Sequence, residues 1–214
     1  MNKFLRSFKK DIVNHAIAKY GKERAREIWA ETEKIYDRFL SEIPYIGGSE
    51  NFMSHNLYQS FVLFAYYEAT GRDLSIDEME EAINRAFCDK RKYLGKLINL
   101  NYLLHKPIIS LIYKYLRVIK RQSDKHRGRD WHNTWGIEIN PDNHKKGVAM
   151  TLVGCPIADF AKEHGYLDIM PVLCKTDYTT IEMLHGKLIR HHTVAEGYDK
   201  CDYWIIGDKD IAEE

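Results

Sequence analysis

No stretch of the sequence approaches the roughly 18 to 20 consecutive apolar residues that a membrane helix needs. No spanning segment is expected, and no membrane partner. Residues 1–21, MNKFLRSFKKDIVNHAIAKYG, are charged throughout and lack the apolar core of a signal peptide. A cytoplasmic location is therefore expected. Charge of one sign is also missing: 32 Lys and Arg stand against 31 Asp and Glu, a formal net charge of +1. That balance argues against a general nucleic-acid binder. The one basic run, Lys114 to Arg129, reads as a solvated helix end and loop. Cysteine is sparse, four residues in 214, and no CxxC pair occurs, so a structural zinc scaffold has weak support. There is no Gly-rich phosphate loop, no nucleotide fingerprint, no HExxH and no Ser-His-Asp signature. Internal repeats and low-complexity tracts are absent as well.

What is there reads as an ordinary globular chain, 44% hydrophobic, 29% charged and 12% aromatic. Its length suits one large domain, or a helical lobe with a smaller mixed one. Phe4, Leu5, Phe8, Ile12 and Ala16 recur at helical spacing, and Gly21 stops that helix. A second helix runs from about 22 to 40 and ends before the Pro44 and Gly47-Gly48 turn. LYQSFVLFAYYEAT is apolar nearly all round, so it reads as a central buried helix, with Asn51 or Ser54 as its cap. Ser75 with Glu78 makes a capping box for the next helix, and Cys88 at its end reads as a packing residue. Two further helical pieces are expected over 90–103 and 107–122.

SDKHRGRDWHN is a polar joint, and the main boundary falls near residue 126. Beyond it the period changes. TWGIEIN and VAMTLVG alternate like strands of a hairpin; IADFAKEHG and IMPVLCKTDYTTIEMLHG read as helices; KLIRHHTV and CDYWIIG read as strands. The expected fold class is α+β: a helical N-terminal region, residues 1–126, packed on an antiparallel sheet of about four strands with two inserted helices, residues 127–214. The two parts can also form one continuous domain.

Three of the four cysteines, Cys155, Cys174 and Cys201, fall within about fifty residues and at element boundaries. Boundaries of that kind can converge at one rim of a sheet. Cytoplasmic thiols stay reduced, so ligand or nucleophile roles suit them better than disulfides. Cys155 precedes Pro156 where a strand gives way to a helix, and a helix N-terminus is expected to lower its thiol pKa. Asp177 lies one turn after Cys174 and is a candidate general base or orienter. On the third strand, alternation puts Arg190 and His192 on one face and His191 on the other. Arg190 would suit a substrate carboxylate. Glu196-Gly197 and Cys201-Asp202 flank the last turn. Trp131 and His132 could roof a pocket, whereas Trp135, Trp204 and the tyrosines read as core. No cofactor is expected, unless the three thiols hold zinc or a similar metal ion.

The C-terminal stretch, about residues 145 to 207, resembles the L-2-amino-thiazoline-4-carboxylic acid hydrolase family. The pattern is Cys155-Pro156, Cys174 with Asp177-Tyr178, Arg190 and Thr193, Glu196-Gly197, then Cys201-Asp202-Tyr203. The resemblance implies hydrolysis at a C–N bond of a small cyclic amidine or thiazoline-like carboxylate, by ring opening. It implies Cys155, Cys174 and Asp177 as catalytic residues and Arg190, Thr193, Glu196, Cys201 and Asp202 as substrate-binding ones. Trp204-Ile205-Ile206 departs from the more basic ending common in the family and puts the polarity of the pocket in question. Two other classes stay open: a non-catalytic ligand or sensor module resembling 4-vinyl-reductase-type domains, and a metal-binding protein. The expected partner is a small-molecule substrate, with a homo-oligomer open.

Overall fold

A computed structural model describes residues 3–210; the side chains of residues 88–92, and with them the expectation for Cys88, lie outside the described residues. Gly21 separates α1 (Lys3–Tyr20) from α2 (Lys22–Glu42), which pack on each other and on α3 (Ser54–Ala69). Phe61 to Tyr66 of α3 are all 0% exposed, so this helix is the buried centre that its all-round apolar sequence implies. Neither expected side chain caps α3 directly: Met53 holds the cap position, and Asn51 accepts the Met53 N–H at 3.0 Å. Ser75 and Glu78 form the capping box that starts α4 (Ile76–Ile83).

The helix expected over 90–103 is not continuous. A 3-10 stretch over Asp89–Lys96 is followed by α5 (Leu100–Leu103), a single turn. DKRKYLGK has no apolar period to hold a longer helix, and Gly95 lies against the Met183 carbonyl where no side chain fits. By contrast, α6 (Ile108–His126) runs past the expected end at 122, and its last turn holds a Lys120–Asp124 pair at 2.8 Å.

The sheet consists of β1 (Gly136–Ile139), β2 (Val148–Val153), β3 (Gly186–Ile189) and β4 (Lys200–Gly207) in the order β1-β2-β4-β3, with every pair antiparallel. Two helices, α7 (Pro156–His164) and α8 (Met170–Met183), lie between β2 and β3 in the chain. The α+β class and the two inserted helices are as the sequence reads.

Alternation gives the sheet two faces. Ile137, Leu152 and Cys201 join the main hydrophobic core, with Tyr203 packed against it. Ala149, Trp204, Ile206 and Ile189 form a small cluster on the other face. The main core crosses the joint at residue 126. Phe39 of α2 and Phe61 of α3 meet Phe160 of α7 at ring-centroid distances of 4.9 and 4.4 Å. Phe64 stacks on Tyr166 at 5.0 Å. Each fully buried aromatic side chain stabilises by about 2–3 kcal/mol, and here that gain is shared between the two regions.

Candidate functional site

β2 ends at Val153, and Gly154 turns the chain at φ +70°. Cys155 is then the N-cap of α7, with Pro156 in the first turn. Gly154 is required in two ways. Its φ is in the left-handed region, and a Cβ there would sit 2.8 Å from Nη2 of Arg127. Arg127 also donates from Nε to the Thr134 carbonyl at 2.9 Å, so it braces both sides of this turn.

The Ile157 and Ala158 amides at the start of α7 and the Trp135 indole lie near the Cys155 sulfur and act to lower its pKa. These donors favour a thiolate. Burial opposes them and is the larger effect, and the thiol is pushed up to about 11. The lowered pKa expected from the helix end is therefore reversed: dense packing around the sulfur outweighs one helix terminus and an indole.

Cys155, Cys174 and Cys201 line one cavity of about 140 Å³, together with Asp177 and Tyr203. α3 contributes Asn56, Gln59 and Ser60, while Trp135 and Leu152 come from the sheet side. Burial also pushes Cys174 up, to about 12, with the neighbouring Cys155, Cys201 and Asp177 adding to it. Cys201 is raised by burial as well; its sulfur accepts the Val194 N–H at 3.3 Å. Among the described residues, Asp177 is the one charged side chain on the cavity wall. A larger open groove, about 650 Å³, lies between Lys3 and Tyr58; its described lining holds no cysteine and no carboxylate.

The other expected residues do not reach this cavity. β3 ends at Ile189, so Arg190, His191 and His192 are loop residues and the expected alternation does not apply to them. Asp202 is the cause: its carboxylate accepts the His191 and His192 N–H groups at 2.9 and 2.6 Å and bends the chain off the sheet. Desolvation is the largest single effect on Asp202 and raises its pKa, but those two bonds, with its own backbone N–H and the nearby His192, hold it below the usual carboxylate range.

Arg190 points back under the sheet with its side chain 2% exposed. It donates to Asp177 Oδ2 at 2.7 Å, to the Asp202 carbonyl at 3.2 Å and to the Cys174 carbonyl at 3.4 Å. The guanidinium stacks 4.0 Å from the Tyr203 ring centroid, and the Tyr203 hydroxyl donates to Asp177 at 3.2 Å. Burial lowers the Arg190 pKa, but Tyr203 and Asp177 more than offset this and the net shift is upward. Its donors are thus committed within the protein, and it does not line the cavity. Thr193 and Glu196 cap each other at a single 3-10 turn, with bonds of 2.9 and 3.2 Å. Trp131 is buried and stacks on His126, away from the cavity.

Among the described residues, no group of three or more His, Cys, Asp or Glu side chains is arranged to hold a metal ion. The geometry thus gives the three-thiol metal reading no support. Trp135 is in the core, as the sequence reads, and also lines the cavity; the sequence reading does not reach the α3 residues Asn56, Gln59 and Ser60. Their polar i, i+3, i+4 stripe on an otherwise apolar helix was the available signal.

No curated protein and no solved structure matches the chain. A family model does: L-2-amino-thiazoline-4-carboxylic acid hydrolase, over residues 54–205, which takes in α3, all of the sheet but the last two residues of β4, both inserted helices and every residue named at the cavity. On that match the chain belongs to the L-2-amino-thiazoline-4-carboxylic acid hydrolase family.

Proposed function

We propose that the chain hydrolyses a small cyclic amidine by ring opening, with Cys155 as nucleophile. The observation that carries this is one cavity lined by a cysteine at a helix N-terminus, the Trp135 indole and one carboxylate. Sγ adds to the amidine carbon, and the proton from the thiol passes to the amidine nitrogen. Ring opening leaves a thioimidate on Cys155; water then adds to that carbon and releases the thiol and a carbamoyl product. The Ile157 and Ala158 amides and the Trp135 indole stabilise the thiolate as it forms and leaves. Oδ2 of Asp177 already accepts hydrogen bonds from the Arg190 guanidinium and the Tyr203 hydroxyl. Asp177 is therefore assigned the substrate N–H groups, as orienter, and Arg190 the task of positioning Asp177.

The amidine carbon bears both nitrogen and sulfur. A free amine in the product marks C–N opening, the class expected from the sequence; a free thiol marks C–S opening. Product mass and thiol titration after incubation with 2-amino-thiazoline-4-carboxylate read both. Cys155→Ser should lower turnover by roughly 10³-fold with the fold intact. Full activity in that variant would sink the nucleophile assignment. One rival gains from the same geometry: protonated thiols in a small cavity also suit a ligand-binding module without chemistry. Tight binding of the thiazoline, with no turnover by the wild type, would select it.

A further inference from the structure

α6 is amphipathic, yet much of its apolar surface has nothing against it. Ile108, Leu111, Tyr115 and Val118 are 38, 60, 49 and 60% exposed, and Phe52 meets the Tyr115 ring edge-on at 5.6 Å. At about 100° per residue, the four helix positions fall within an arc of about 80°. Single exposed apolar residues are ordinary; a continuous stripe three turns long is not. Along one side of the stripe run Lys114, Arg117, Arg121 and Lys125, all exposed and none in an ion pair with another of the described residues.

We infer that this face of α6 docks on an anionic lipid bilayer surface. A helix lying in the headgroup region buries its apolar stripe among acyl chains and sets its basic flank against lipid phosphates and carboxylates. Charge selects this occupant over a second copy. A two-fold contact brings the patch against itself, and four cations would then face four more. The aliphatic stripe, in turn, has no use on a nucleic-acid backbone. No described helix is long and apolar enough to cross a membrane, and lying on the surface requires no such helix. The inference replaces the sequence expectation of no membrane partner, and it is independent of the reaction proposed above.

The test is co-sedimentation of the full chain with vesicles of phosphatidylcholine alone or with about 30% phosphatidylserine, at ionic strengths near 0.1 M and 1 M. Expected is binding to the anionic vesicles that is at least roughly tenfold stronger than to neutral ones and weakened by salt. Leu111→Asp with Val118→Asp, and separately Arg117→Glu with Arg121→Glu, should each reduce it by about tenfold or more. All four side chains are exposed, so circular dichroism should show both variants folded. Equal binding to both vesicle types, or none to the anionic ones at low salt, overturns the inference. So does a dimer in light scattering that Leu111→Asp with Val118→Asp splits, since a second copy would then cover the stripe.

Discussion

At Cys155 two effects oppose each other within one side chain. The helix end and the Trp135 indole favour the thiolate, burial favours the thiol, and burial prevails at about 11. The sign of the pH dependence follows. A raised pKa leaves a small thiolate fraction at neutrality, and that fraction grows about tenfold per pH unit until the pKa is reached. Alkylation of Cys155 by iodoacetamide, followed by mass spectrometry, should therefore rise steadily from about pH 7 to 10. A plateau near pH 7 would show that the helix end prevails after all. Trp135→Phe removes one donor and should move the profile to still higher pH. The place of Cys155 at a strand-to-helix step was legible because Val148 to Pro156 changes period locally. The sign of its pKa was not, because the side chains that bury it come from α3 and α8, far away in sequence.

The loop between β3 and β4 shows how a charge pair shapes an element. Arg190 is almost wholly enclosed, whereas its partner Asp177 is 42% exposed, so the two ends of the pair are not equivalent. Asp177→Asn leaves a buried guanidinium without its counter-charge and should cost about 3–5 kcal/mol. Arg190→Met leaves a carboxylate that water can reach and should cost less, about 1.5–3 kcal/mol. Denaturant unfolding of both variants measures the order. If Arg190 instead held the substrate carboxylate, Arg190→Met would raise KM at nearly unchanged stability. At the turn before Cys155, Gly154→Ala should cost about 1–2 kcal/mol for its positive φ alone. The strand pattern KLIRHHTV was read as continuous because nothing local ends it. What ends it is Asp202, ten and eleven residues beyond the two histidines whose amides its carboxylate takes. Such a partner has no signature within the strand itself.

At the scale of the whole molecule, the change of period near residue 126 marks a change of secondary structure, and the core ignores it. Phe39, Phe61 and Phe64 from one side and Phe160 and Tyr166 from the other are members of the same buried cluster. The class of fold was legible because helical and strand periods are local properties. The shared core was not, because packing partners more than a hundred residues apart leave no joint pattern in one sequence. The shared core makes a prediction that can be read by two probes. Trp29 lies in α2, and Trp131, Trp135 and Trp204 lie beyond the joint. If the two regions unfold as one cooperative unit, helix loss by far-UV circular dichroism and the fluorescence of a variant keeping only Trp29 or only Trp204 will give one midpoint. Phe160→Ala opens a cavity between Phe39 and Phe61 and should remove about 3–5 kcal/mol from that single transition. Both probes should move together by the same amount. Two separated midpoints, with only the Trp204 signal shifted by Phe160→Ala, would show that the sheet and its two helices unfold apart from the helical region.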